Sequence, residues 1–256
     1  MKMIVSPAKK LDFELASPIA KFTQPKYLDK SEALIKTLKT YTTGEISKLM
    51  KLSDSLSELN VSRYREFHTP FNRENAKQAM YAFKGDTYVG LDAESFDKDD
   101  AAFAQKSLRI LSGLYGILRP MDLIQAYRLE MGTKLPCEGN KNLYEFWKNT
   151  LTKDLNKELK KDGDQALINL ASKEYFSSLD FSQLDVPVVT CHFMEKKGSE
   201  YKIVGIKAKR ARGMMSRFII KNRIEKVEDL KKFNDGGYKF DSAASEENDL
   251  VFKANN

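Results

Sequence analysis

The chain predicts an α+β fold in which a mixed sheet is surrounded by helices, all within a single domain spanning residues 1–256. Three observations point there. Strand-like apolar runs gather toward the two ends, helical apolar periodicity fills most of the stretch between them, and no repeat, linker or compositional shift divides the chain.

Met3-Ile4-Val5 reads as a short buried strand closed by Ser6-Pro7, because proline drives the residue before it out of the helical region. Lys9 and Lys10 follow in the turn, so this strand delivers cations from its carboxyl end. Residues 28–66 read as helices. Leu34, Ile35 and Leu38 mark one apolar face, and Ile46, Leu49, Met50 and Leu52 mark the next. Thr43 is expected to cap the second helix and Ser53 a third that carries Leu56, Leu59 and Val61. Thr69-Pro70 ends this region, and residues 73–83 predict a further helix with Ala76, Ala79, Met80 and Phe83 inward. Gly85-Asp86 then turns into a strand at Thr87-Tyr88-Val89. Residues 98–111 predict a helix begun by Asp97 or Asp99, and residues 143–160 another, with Leu143, Phe146, Trp147, Leu151 and Leu155 at helical spacing. Ala166–Leu170 reads as a buried strand. Val186–Phe193 and Tyr201–Ala208 read as strands joined through a turn at Lys196–Ser199, and residues 211–224 as a helix. Tyr238-Lys239-Phe240 and Leu250-Val251-Phe252 predict a last hairpin around an acidic loop.

Composition narrows the class of function. A hydrophobic share of 41% and a charged share of 31% describe a globular chain able to bury a core. The net charge of +7 suits an anionic partner without identifying one. Cys137 and Cys191 form no C-x-x-C pattern, which argues against a disulfide framework or a zinc ribbon and for a reducing compartment. No apolar run has the length of a membrane span or of a signal-peptide core, so a cytoplasmic protein with no membrane partner is expected.

The most informative stretch is Lys207 to Arg223, KAKRARGMMSRFIIKNR, which holds seven basic residues and no acidic one. Lys207, Lys209, Arg210, Arg212, Arg217, Lys221 and Arg223 concentrate positive field on one segment, and the guanidinium fork suits phosphate or carboxylate. On a strand, Lys207 and Lys209 would share a face. On the helix expected after it, Arg210, Arg217 and Lys221 form one stripe, and Arg212 and Arg223 lie nearly opposite. Gly213 allows a close backbone approach. The competing reading is that Arg212 and Arg223 pair with distant acids such as Asp12, Glu130 or Glu174.

A second segment, Leu108 to Thr133, places Gly113-Leu114-Tyr115-Gly116 between two apolar stretches, with Arg119 and Arg128 close behind. It resembles a helix-hairpin-helix, whose hairpin amides grip a nucleic-acid backbone without reading bases, although the glycines here stand three apart and not the usual two.

The pieces SPAKKLDF, AFKGDTYVGL, LSGLYGILRPMDLIQAYRLEMGT, NLYEFW, INLASKEYF and KRARGMMSRFIIKNRI occur in order, and together they resemble the YaaA family of bacterial peroxide-stress proteins from Met3 to Phe252. Ala126 departs from that pattern, where many relatives have proline. The resemblance implies a cytoplasmic protein of the hydrogen peroxide response that limits damage from free intracellular iron. It also implies DNA binding through a positively charged cleft and a helix-hairpin-helix element on an α+β fold. On that basis DNA is the expected partner, held by backbone contacts from Lys9, Lys10, Gly113, Gly116, Arg119, Arg128, Lys207, Lys209, Arg210, Arg212, Arg217 and Arg223. A monomer with neither cofactor nor metal is expected. His68 and His192 are the only histidines, and Cys191 beside His192 would point to the opposite face of a strand, which denies them a nucleophile–base pairing. The alternative is an enzyme acting on a nucleotide or nucleic-acid phosphodiester in the same cleft, with Asp12, Asp86, Asp92 or Glu130 holding Mg²⁺.

Overall fold

Met3-Ile4-Val5 forms the strand expected of it, and that strand lies at the middle of the main sheet. The computed structural model describes residues 1–255. Strand β1 (Lys2–Val5) leads to β2 (Lys10–Leu11) and then to three helices, α1 (Leu28–Leu38), α2 (Thr43–Met50) and α3 (Asp54–Glu66). Leu34, Ile35, Leu38, Ile46 and Val61 are buried as read from the sequence, whereas Leu56 and Leu59 of α3 are exposed and Tyr64 is buried on that helix instead. Thr42 and not Thr43 caps α2: its side chain accepts the Glu45 N–H while Glu45 accepts the Thr42 N–H at 2.7 Å, a reciprocal capping box. Ser53 caps α3 as expected.

The next stretch departs from expectation. Residues 73–83 hold no long helix; they give β3 (Lys77–Gln78), the single turn α4 (Ala79–Ala82) and β4 (Phe83–Lys84). Thr87-Tyr88-Val89 is helical, inside α5 (Asp86–Leu91). Helix α6 (Lys98–Ser107), capped by Asp97, stops short, and Leu108–Ser112 is strand β5. Strand β6 (Gly116–Leu118) returns antiparallel beside it, and β7 (Leu123–Ile124) follows. The glycine segment is thus a β-hairpin between strands, and the expected helix-hairpin-helix is absent among the described residues. Trp147 explains the tight turn. Its Nε1–H donates to the Gly113 carbonyl at 2.9 Å, and a Cβ on Gly116, whose φ is +69°, would stand 2.7 Å from the indole.

Helix α7 (Leu143–Asp162) carries Trp147 and covers β6. It is followed by β8 (Leu167–Leu170), the turn α8 (Lys173–Phe176), β9 (Val188–Lys197) and β10 (Glu200–Lys202). Residues 205–208, expected at the end of a strand, instead begin the long helix α9 (Gly205–Lys221). The tail supplies β11 (Lys239–Phe240) and β12 (Asp249–Ala254), the antiparallel pair expected there.

The sheet order is β11-β12-β9-β8-β1-β5-β6, with β10 paired to β9. The five inner strands β12, β9, β8, β1 and β5 run parallel; β11, β6 and β10 are antiparallel additions. β1, β5 and β8 are buried throughout, as parallel strands with both faces covered must be, whereas β9 alternates buried and half-exposed residues. The buried charged residues described are matched, whereas the Tyr81 hydroxyl is buried with no hydrogen-bond partner. Lys2, 1% exposed, is bonded to Asp162 at 2.6 Å and to Asp164 at 3.0 Å, and Arg109 is paired with Glu158.

Helix α9 lies across β9, β8 and β1 and crosses α5. At the crossing both helices present glycine. A Cβ on Gly213 would stand 1.8 Å from the Thr87 carbonyl oxygen, and one on Gly90 would stand 2.1 Å from that of Arg210. The close approach expected of Gly213 is therefore made by another helix backbone, and it locks α5 and α9 into one unit.

Candidate functional site

The chain builds β1, crosses to β5 on one side of it, and later returns to lay β8 on the other side. Such a reversal opens a crevice beyond the carboxyl ends of the two diverging strands, where open parallel sheets bind ligands. A cavity of about 290 Å³ lies in that place. Four segments wall it: Ser6–Lys10 after β1, Lys84–Tyr88 leading into and along α5, Leu170–Tyr175 after β8, and Lys209 and Arg212 from the first half of α9.

The wall carries five cations, Lys9, Lys10, Lys84, Lys209 and Arg212, against two carboxylates, Asp86 and Glu174. Two of the cations are matched from outside the cavity: Lys9 by Glu130 at 3.0 Å and Lys84 by Glu94 at 2.6 Å. Among the described residues Lys10, Lys209 and Arg212 have no carboxylate within 4.0 Å. Arg212 is half-buried, and its burial pulls the guanidinium below its ordinary value. That burial opposes its charge, so an anion in the cavity would relieve a cost that the empty fold bears. On the floor, Ser6 accepts the Ser172 N–H at 2.9 Å, the two hydroxyls stand 3.3 Å apart, and the Tyr88 hydroxyl donates to the Ser6 carbonyl at 3.1 Å. Burial raises the Tyr88 phenol far above its ordinary value, so it remains a neutral donor.

The remaining residues expected to meet DNA lie elsewhere or are already neutralised. Lys207 and Lys209, expected on one strand face, occupy α9, and Lys207 is bound to Glu195 at 2.8 Å. Arg217 reaches Asp92 at 3.2 Å and stacks over Phe96. Arg128 pairs with Glu130 at 3.0 Å and Arg119 with Asp122 at 2.8 Å. Arg119 belongs to a separate hollow of about 370 Å³ beside β6, whose Arg109, Arg119 and Lys26 are each held by Glu158, Asp122 and Asp154. Gly113 and Gly116 are buried beneath Trp147 and present no amides to a ligand. Arg210 is exposed. Of the twelve expected residues, Lys9, Lys10, Lys209 and Arg212 are brought together. Sequence reasoning missed Lys84 and Ser172 as members of the site, although each sits in a segment singled out above, AFKGDTYVGL and INLASKEYF.

Arg223 and Lys221 converge on Asp100, at 2.8 Å and 2.7 Å. Burial alone would raise the Asp100 carboxyl, but the hydrogen bonds from Lys221 and Arg223 and from the Asp97 backbone outweigh it and hold it below its ordinary 3.8. A lowered folded-state value means that the stabilisation is complete above 3.8 and is lost as pH falls through the lowered value. Asp100→Asn is therefore expected to cost about 1–3 kcal/mol at neutral pH, and the gap from the parent should close as denaturation curves are taken to more acid pH. A gap that stays constant on acidification would refute this.

Among the described residues no group of His, Cys, Asp and Glu could hold a metal ion, and no helix is long and apolar enough to cross a membrane. His192 and Cys191 do face opposite sides of β9: His192 bonds Asp249 at 2.6 Å, while Cys191 is buried and its thiol is pushed up to about 12 by burial, against a small opposing pull from Arg212.

A family profile described as "Peroxide stress protein YaaA" matches residues 1–244. A UPF0246 protein of Alteromonas mediterranea is 52% identical over 255 residues, covering 100% of this chain and 98% of its own length. Similar proteins from Flavobacterium johnsoniae and Aliivibrio fischeri are 51% identical over 252 residues and 50% over 253, with 98% and 99% of this chain and 99% and 98% of their own lengths covered.

Proposed function

The chain belongs to the YaaA family of peroxide stress proteins, and from that premise we propose that it binds DNA by backbone contacts at the mouth of the crevice beyond β1 and β8. The carrying observation is charge without compensation: Lys10, Lys209 and Arg212 come from segments far apart in sequence, converge on one cavity, and have no carboxylate partner among the described residues. The exposed lysines Lys9, Lys10 and Lys209 lie on the phosphates of a strand running across the opening, which positions the protein without reading bases. The protein acts as a monomer in the cytoplasm.

Such binding also gives a physical route to protection against iron. Neutralising phosphates releases the cations condensed on DNA. Ferrous iron held there is among them, and its removal takes the site of radical formation away from the bases.

The affinity of this interaction should fall steeply with salt, by about 0.9 log units per log unit of salt for each phosphate neutralised. Changing Lys9, Lys10 and Lys209 together to glutamine should weaken duplex binding and flatten that slope by about 0.9 for each phosphate no longer neutralised, as read by fluorescence anisotropy over a salt series. Equal slopes for parent and triple variant would remove the crevice mouth from the interface.

A further inference from the structure

The interior of the crevice has features that the backbone of a duplex lying across its mouth would not use. Arg212 sits half-buried inside, beyond the exposed lysines of the rim. The two carboxylates on the wall, Asp86 and Glu174, oppose a plain polyanion, and Asp86 has no cation within 4.0 Å among the described residues. A carboxylate is an acceptor only, so it fits a ligand that brings hydroxyl donors; a sugar diol is the usual match in a crevice of this type. Beside it the hydroxyls of Ser6 and Ser172 add groups able both to donate and to accept. The volume of about 290 Å³ is at the low end of cavities that hold small molecules and is far too small for a duplex.

Resting on the reading of this crevice as an anion site, and going beyond it, we infer that its interior binds one sugar phosphate monoester, a nucleoside 5′-monophosphate, with the phosphate on Arg212 and the sugar hydroxyls on Asp86. A monoester carries a charge of about −1.5 to −2 near neutrality, more than a backbone diester, which matches the uncompensated guanidinium of Arg212 held inside the pocket. The same chemistry has a second source, the 5′-phosphorylated end of a DNA strand, whose first sugar has no free diol for Asp86.

The test uses the full chain and two pairs of probes: adenosine 5′-monophosphate against adenosine, and a short single strand with a 5′-phosphate against the same strand with a 5′-hydroxyl. Binding is read by isothermal titration calorimetry for the parent, Arg212→Gln, Asp86→Asn and the remote exposed-charge control Lys153→Gln, each checked for parental far-UV circular dichroism. The expected result is binding of the mononucleotide but not of adenosine, weakened tenfold or more by Arg212→Gln and by Asp86→Asn and unchanged by Lys153→Gln. Preference for the 5′-phosphorylated strand, lost in Arg212→Gln but kept in Asp86→Asn, supports the monoester pocket with a strand end as its occupant. If neither phosphate improves on its hydroxyl counterpart, or if the preference survives Arg212→Gln, the inference is overturned. Duplex binding measured through the rim lysines fails or stands separately.

Discussion

Gly213→Ala is expected to destabilise the protein by on the order of 3 kcal/mol, a large loss for one methyl group. The added carbon would stand 1.8 Å from the Thr87 carbonyl oxygen and 2.8 Å from the Leu91 amide. Both are helix backbone, which cannot turn aside as a flexible side chain would. Relief requires α5 and α9 to move apart, and that opens the core around the buried residues Tyr88, Leu91 and Met215. The same movement separates Lys84–Tyr88 from Lys209 and Arg212, so ligand binding should fall with stability. Gly205→Ala is the control on the same helix. A Cβ there meets nothing within 4 Å, and alanine is the better helix former, so its effect should run from neutral to a gain of up to about 1 kcal/mol. Urea denaturation of both variants checks the argument; equal midpoints would show that the helices have room to spare.

Trp147→Ala is expected to cost about 3–5 kcal/mol, the range for emptying a large aromatic site in a core. Trp147 is fully buried, packs edge-on against Tyr27 and Phe146, and fills the space that Gly116 leaves by having no side chain. Trp147→Phe keeps much of the ring but leaves the Gly113 carbonyl without its donor, so a smaller loss of about 1–3 kcal/mol is expected. Hydrogen exchange should localise the damage: those amides of β6, the edge strand held down by α7, that bond to β5 should lose protection before those of Ile4 and Ile168 in the sheet centre. Uniform loss across the sheet would contradict this account.

Period decided which elements were legible in the sequence. α1, α3 and α7 are long enough for their apolar residues to repeat over several turns, and their positions follow from that. Short elements lack this repeat. Thr87-Tyr88-Val89 has strand-forming composition yet lies in a helix of six residues, because Gly90 and Gly213 let that helix bury its face against α9. Ile206 and Ala208 alternate with lysines and so read as strand. In the helix Ala208 is buried, Ile206 is 69% exposed, and no sheet neighbour claims them. The paired glycines of residues 113–116 read as a helical hairpin, and only the distant Trp147 reveals the β-turn it covers.

The site was half legible for a related reason. Positive charge is visible in sequence, but whether it is free depends on partners such as Asp92, Asp100 and Glu195, which only the folded chain brings near Arg217, Arg223 and Lys207. Lys209 and Arg212 could be recognised as unmatched only once their surroundings were complete.

The placement of β1 also governs how the protein is made. Strand β1 leaves the ribosome before the strands that flank it, and Met3 stands opposite Leu108 on one side and Ile168 on the other. Neither neighbour exists while the amino-terminal third is being translated, so a bare apolar segment with two open edges must wait for partners synthesised much later. Helices α1 to α3 emerge during that interval and are built from local contacts that form quickly. Prematurely released chains ending before Leu108 should consequently be the aggregation-prone species of this protein, and helper proteins that shield exposed strands would act on them first.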